Sequence, residues 1–182
     1  MFTTVLIVVA VLVIGVLLVA AMRPADVRVS RTATLAAPPS RVFPHLNDLR
    51  KFQEWSPWAK LDPNCQLTFA GPATGVGSSF SWTGNAKVGA GRMTLTESRA
   101  NELVAYHMDF YKPFAGEGEG RMEFKPSGSG TQATWSMDTR ANFFMKVMCL
   151  FMSMDKAIGG QFEQGLATLD AVSRADARVA QV

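Results

Sequence analysis

No charged side chain occurs between Phe2 and Met22, and apart from Thr3, Thr4 and Gly15 the run consists of Val, Leu, Ile, Ala, Met and Phe. At ~1.5 Å per residue a helix of this length covers the ~30 Å of a bilayer's hydrocarbon core. Nothing in it gives a polar face, so it cannot be the one-sided helix of a soluble core. The reading is a transmembrane anchor over residues 1–23. A cleaved signal peptide is the competing reading, because Val19-Ala20-Ala21 resembles a small-residue cleavage site. Against cleavage, no Lys or Arg precedes the run, and it exceeds the usual ~7–15 apolar residues. Arg23, Arg28 and Arg31 follow the run. The excess of cations there places the C-terminal domain of this single-pass chain in the cytoplasm.

The other ~160 residues suit one domain. All 18 basic and 15 acidic side chains follow Met22, so the domain's surface is mixed and close to neutral. No Lys/Arg-rich block tracks a phosphate backbone, which argues against a nucleic-acid partner. Cys65 and Cys149 have no neighbouring His or second Cys for metal or redox work and read as half-buried thiols, although one pair could form a disulfide.

Arg23-Pro24-Ala25 leaves almost no stalk, so the domain begins at the bilayer surface. Val27, Val29, Arg31, Ala33 and Leu35 alternate with mostly polar residues, which predicts a first strand. Pro39 opens a short helix over 39–46, within which Pro44 is an irregularity, and Asn47-Asp48 caps a second over 49–55. Ser56-Pro57 ends it. Turn residues then separate strands at 66–70, 78–82, 91–98, 103–110, 118–125 and 131–141. With no helices between them these form an antiparallel meander.

From 142 to about 172 the period becomes helical. Met148, Phe151, Asp155, Ile158, Phe162, Leu166 and Leu169 step by three or four along one inward stripe of a single long helix. Residues 173–182 turn polar and Ala-rich and are expected to fray. The domain, 26–172, is thus α+β. A seven-stranded antiparallel sheet must bury one face and curls around one long C-terminal helix in a helix-grip arrangement.

Several segments carry a resemblance. Ala36-Ala37-Pro38-Pro39 with Val42-Phe43 is followed by Trp55-Ser56-Pro57-Trp58 with Asp62-Pro63, Gly71-Pro72 and Gly75-Val76-Gly77-Ser78. Trp82-Thr83-Gly84-Asn85, Val88-Gly89-Ala90-Gly91, the strand from Thr131 to Met137 and Phe162-Glu163-Gln164-Gly165-Leu166 complete the set. In this order they resemble the START-like polyketide cyclase/dehydrase (SRPBCC) superfamily, most closely the bacterial membrane-anchored "polyketide cyclase" type. The resemblance implies a helix-grip fold with a cavity for a hydrophobic ligand. It does not imply an enzyme, because carriers, sensors and cyclases share the fold.

Candidate chemistry is sparse. His107 points outward, because Val104, Tyr106, Met108 and Phe110 hold the apolar face of its strand, and His45 reads as structural. Glu117 and Glu119 flank Gly118 in a Gly-rich stretch that reads as a solvated loop or edge. Arg31 and Asp155 fall on apolar faces, so each needs a partner, water or an exit to the rim, with Arg31 a candidate opposite Asp155. Gly159, Gly160 and Gly165 weaken a helix by ~1 kcal/mol each relative to Ala, which makes sense where space or close approach is required. No triad or metal spacing is present, so neither a catalytic residue, a metal nor a cofactor is implied.

The site expected from these faces is lined by Phe80, Trp82, Tyr106, Phe110, Trp135, Met148, Met152, Asp155 and Phe162. Its ligand would be a hydrophobic or amphipathic small molecule or lipid, with Asp155 either a headgroup anchor or a rim residue. A cyclase/aromatase-like enzyme and an interaction module with a closed interior are the alternatives. Ligand identity and oligomeric state are not written in this sequence.

Overall fold

The computed structural model describes the backbone of residues 1–179 and the side chains as far as Ala175. Helix α1 (Phe2–Met22) leads through three residues into strand β1 (Asp26–Leu35). Helices α2 (Pro39–Val42), α3 (Pro44–Asn47) and α4 (Leu49–Trp55) and a 3-10 turn (Pro57–Lys60) follow. Six strands come next: β2 (Gln66–Ala70), β3 (Ser79–Thr83), β4 (Ala90–Arg99), β5 (Leu103–Lys112), β6 (Gly116–Ser127) and β7 (Gly130–Arg140). Helices α5 (Phe143–Phe151) and α6 (Met154–Val179) complete the described chain.

The seven strands form one antiparallel sheet in the order β1-β7-β6-β5-β4-β3-β2. Every neighbouring pair except β1 and β7 is consecutive in sequence, so short turns suffice and only one long closure is needed. Alternation selects the buried face: Val29 and Leu35, Met93 and Leu95, Val104 and Tyr106, Met122 and Phe124, Ala133 and Trp135 all point inward. Register shifts in the β4–β5 ladder after Ala90 and after Leu95 add bend and twist where the sheet curls. Helix α6 lies against the inward face through buried Phe162, Leu166 and Leu169, and α2, α4 and the 3-10 turn pack onto it.

The helix expected over 39–46 is two helices, α2 and α3, because Pro44 lacks the N–H that would continue α2 and instead takes a first-turn position in α3. Asp48 caps α4 as expected, its carboxylate accepting from the Arg50 N–H at 2.9 Å. The Gly-rich stretch around Glu117 is ladder rather than loop, with Glu119 opposite His107 on one side and Asp138 on the other. Its glycines face inward beneath aromatic rings: a Cβ on Gly120 would overlap the Tyr106 ring, and one on Gly118 would lie 3.7 Å from Phe110.

The single helix expected from 142 to 172 is also two. Met152 is extended (ψ 135°) and ends α5, whose start is capped by Asn142 accepting from the Met145 N–H at 2.8 Å. Helix α6 then continues past Ser173, which is buried with its hydroxyl donating to the Leu169 carbonyl at 2.7 Å. The part of the expected tail at 180–182 lies outside the described residues.

Helix α1 stands apart from this domain. An 18-residue window within it has a mean hydropathy of 3.4, and Ala20 is its one buried residue. It is long and apolar enough to cross a membrane, a property that signal sequences share. Helix α5 packs against it.

Candidate functional site

From the middle of the sheet to the end away from α1 the interior is filled. The Trp135 indole of β7 stacks on Phe162 of α6 with ring centres 4.2 Å apart and planes 5° from parallel. Trp55 and Trp58 meet Trp135 edge-on at 5.2 and 5.8 Å. This approach of helix to sheet needs a glycine: a Cβ on Gly165 would sit 2.7 Å from the Trp135 ring and 3.2 Å from Pro57. Trp135 donates its indole N–H to the Tyr106 hydroxyl at 2.7 Å, and burial pushes that phenol's pKa far up, so it stays protonated. Trp55 donates to the carbonyl of buried His45 at 2.9 Å.

Toward the α1 end the same inward face loses its cover. Along β5, Val104 and Tyr106 are buried, whereas Met108 and Phe110 are half-buried. Along β3, Phe80 is buried and Trp82 half-buried. Trp82 and Phe110 meet edge to face at 6.0 Å, and Phe80 continues the row at 5.8 Å from Trp82. Trp82 lies flat over Gly91, where a Cβ would approach its ring to 2.5 Å, and its N–H donates to the Val88 carbonyl at 3.0 Å. The indole is thereby fixed with its apolar face available and its polar atom satisfied. The strand register puts this row at the same end as Asp26, Arg140 and the β5–β6 turn, where α1 joins the domain.

Asp155 does not enter the interior. Its carboxylate, 58% exposed, receives two hydrogen bonds from Arg31 at 2.8 and 2.9 Å. Arg31 also donates through Nε to Glu163 at 2.7 Å. The guanidinium crosses α6 directly over Gly159, where a Cβ would overlap it. Its hydrogen bonds to Asp155 and then to Glu163 hold the arginine firmly charged, and Arg31 in turn draws the Asp155 pKa below its ordinary value. This is a clamp between the sheet's β1 edge and the start of α6. Arg31 is thus the partner that Asp155 needs, and the pair sits at the rim.

Met148, on the expected stripe, and Met152 are both expected to face inward, but α5 ends at Met152 and packs against α1. Both are exposed, as is Phe151. The structure therefore brings together Phe80, Trp82, Tyr106, Phe110, Trp135 and Phe162 and leaves Met148, Met152 and Asp155 exposed. Sequence reading passed over Trp55 and Trp58, which complete the Trp135–Phe162 stack, and Glu163. Asp155, Gly159 and Glu163 at spacings of four put two carboxylates and a gap on one helix face, a pattern that could have marked an arginine seat.

His107 lies on the outward face, its Nδ1 2.6 Å from Glu119 and its Nε2 3.3 Å from Asp109. The hydrogen bond with Glu119 is the main cause of its raised pKa, with Asp109 adding to it. Cys65 and Cys149 are both free and half-buried. A separate hollow of about 160 Å³ lies between α4 and β2, lined by Leu49, Arg50, Phe69 and Ser79 among others, and includes none of the expected site residues.

The family profile described as "Polyketide cyclase / dehydrase and lipid transport" matches residues 26–174. No curated protein matches the chain. Among solved structures, a protein from Chromobacterium violaceum superposes with a TM-score of 0.58 at 17% identity, over 83% of this chain and 98% of its own. Ara h 8.0201 does so with a TM-score of 0.55 at 13% identity, over 82% and 99%. The di-domain ARO/CYC StfQ from the steffimycin biosynthetic pathway gives 0.60 at 11%, over 84% of this chain and 52% of that one. At these identities the likeness is one of fold.

Proposed function

This chain belongs to the polyketide cyclase / dehydrase and lipid transport family, and from that premise we propose that it is a membrane-anchored binding protein for a hydrophobic or amphipathic small molecule. One observation carries the reading: the inward face is packed shut at one end and opens at the other, where α1 joins it. Half-buried Trp82, Met108 and Phe110 form the apolar mouth, with Phe80 behind them and the Tyr106–Trp135–Phe162 cluster as its closed floor. A molecule partitioning from a bilayer would reach this row of rings without crossing water.

The chemistry present suits binding better than catalysis. The buried Tyr106 phenol is kept neutral and already accepts the Trp135 N–H. The charged groups at the rim, Arg31, Asp155 and Glu163, are committed to one another. A cyclase-like reaction would need a proton-transfer group facing the mouth, and apolar side chains occupy it.

The test uses the full chain in lipid nanodiscs with the hydrophobic dye 1-aminoanthracene. Wild type should bind the dye. Trp82→Ala and Phe110→Ala should weaken binding roughly tenfold, about the effect of removing one buried aromatic contact. His107→Ala should bind like wild type. No binding by wild type, or equal binding by all variants, would rule out an open mouth. We place the domain at the cytoplasmic face of a bacterial inner membrane, an orientation that the arginines after Met22 favour. Alkaline phosphatase fused after Val182 should then be inactive and a fluorescent protein there bright; strong phosphatase activity would reverse the assignment.

A further inference from the structure

Helix α5 is apolar at eight of its nine positions, with Lys146 the single charge. A helix apolar on every side requires apolar surroundings on every side. The protein does not supply them: Phe143 and Phe144 are each 50% exposed, Phe151 75% and Met152 54%. The turn between β5 and β6 adds to the same surface, because Phe114 packs on Phe144 with ring centres 4.7 Å apart and is itself 48% exposed.

The place of this patch in the fold says what covers it. Helix α5 packs on α1. Along α1 the covered positions are Gly15, Val16 and Ala20, all in its C-terminal part. At ~1.5 Å per residue these lie roughly 3–10 Å from Met22, the depth of an interfacial helix, about 5–10 Å. Nine residues are too few to span a bilayer. Cations flank the apolar surface: Arg23 after α1, Arg140 before α5, Lys112 at the turn and Lys146 within the helix, against Asp26 and Glu117 nearby.

The geometry points to a bilayer leaflet as the occupant of this patch, with α5 and the Phe114 turn forming an interfacial foot beside the last turns of α1. The foot rests on the reading of α1 as a membrane helix and extends it. It gives the domain two points of membrane contact instead of one, and holds the mouth at Trp82 and Phe110 close to the leaflet. Its recognition chemistry is that of an anionic lipid surface: aromatic and aliphatic side chains at headgroup depth, with lysine and arginine beside them.

The test reconstitutes the full chain in phosphatidylethanolamine/phosphatidylglycerol vesicles containing either a lipid with a nitroxide near the headgroup end of its acyl chain, read at positions 151, 114 and 129, or one with a nitroxide near the chain's methyl end, read at position 12. In a Cys65→Ser/Cys149→Ser background, bimane is attached at Phe151→Cys, Phe114→Cys, Leu12→Cys or Ser129→Cys, one site at a time. Ser129 lies in the β6–β7 turn at the far end of the sheet. The fluorophores at positions 151 and 114 should be quenched several-fold more than that at 129. If they are quenched no more than at 129 while position 12 is quenched, the foot is wrong and the anchor stands. If position 12 also escapes quenching, both readings fall. Quenching at 151 and 114 without quenching at 12 would uphold the foot and remove the spanning helix. Copy-to-copy crosslinking through position 151 without lipid quenching would assign the patch to a second chain and overturn the proposal.

Discussion

The two ends of the inward face use the same kinds of side chain for different ends. Away from α1, Trp55, Trp135, Phe162 and Leu166 are almost wholly buried, and glycine at 165 lets the helix press onto the indole. Toward α1, Trp82 and Phe110 sit on a similar glycine-floored sheet, but α6 does not close over them. Aromatic content therefore does not distinguish a core from a binding mouth. What distinguishes them is whether a second layer of the protein reaches the rings. A glycine under a ring helps in both places, in one by admitting a helix and in the other by flattening the ring against the strand.

The contrast is most sharply broken by truncating one ring from each end. Trp135→Ala should lower the unfolding free energy by ~3–5 kcal/mol, because it opens a cavity beneath a packed helix. Trp82→Ala, at a half-exposed ring, should lose well under half of that while showing the larger loss of dye binding. Chemical denaturation of both variants reads the difference; equal destabilisation would mean that the mouth is a closed core.

Glycines in α6 sharpen the same comparison. Gly165→Ala should destabilise by ~1–3 kcal/mol, since its Cβ meets the Trp135 ring and Pro57. Gly160→Ala meets nothing within 4 Å and should gain up to ~1 kcal/mol from helix propensity. Thermal melts of the two variants moving in the same direction would contradict the close approach at 165.

Most of this fold is legible in the sequence, because turn residues and period-2 alternation report strands directly. The expected strand at 66–70 coincides with β2, and the others differ from the observed ones by one or two residues at their ends. The break between α5 and α6 was not legible. Met148, Phe151 and Asp155 continue the three-and-four spacing straight through it, and no Gly or Pro marks Met152-Ser153. Apolar periodicity shows that a face needs covering, but it does not say whether protein or lipid covers it. Met148 and Met152 were therefore assigned inward on a pattern that fits either surrounding. The burial of Tyr106, Trp135 and Phe162 is readable because strand alternation and the α6 stripe are set by the protein alone.

The clamp should give a smaller effect than either ring or glycine. Asp155→Leu leaves Glu163 to hold Arg31, so the melting temperature should fall only slightly and dye binding should stay as in wild type. Loss of binding with the fold intact would restore Asp155 as a ligand anchor. Because its pKa is depressed, the stability contributed by Asp155 is present above the ordinary carboxylate value of 3.8 and is lost as pH falls through the depressed one.

The smallest effect is expected at His107, on the outward face of the sheet opposite the inward rings. Its pKa lies above 6.5, so its stabilising contribution is fully present below 6.5 and fades as pH rises through the raised folded-state value. Glu119→Gln should bring the NMR titration midpoint of the His107 ring down toward 6.5. A midpoint that does not move would remove the hydrogen bond to Glu119 as its cause.

The shortness of the link between α1 and the sheet has a kinetic consequence. The Ala25 carbonyl already accepts from the Ala141 N–H at 2.7 Å, so only Arg23 and Pro24 separate the last helical residue from hydrogen-bonded domain. With the anchor in a bilayer, a tether this short leaves the domain free to spin about the membrane normal and to drift laterally, and little else. On the binding role proposed above, encounter with a lipid-like ligand then becomes a search in two dimensions. Its rate is set by the number of ligand molecules per unit of membrane area, and dilution of the surrounding aqueous phase leaves it unchanged.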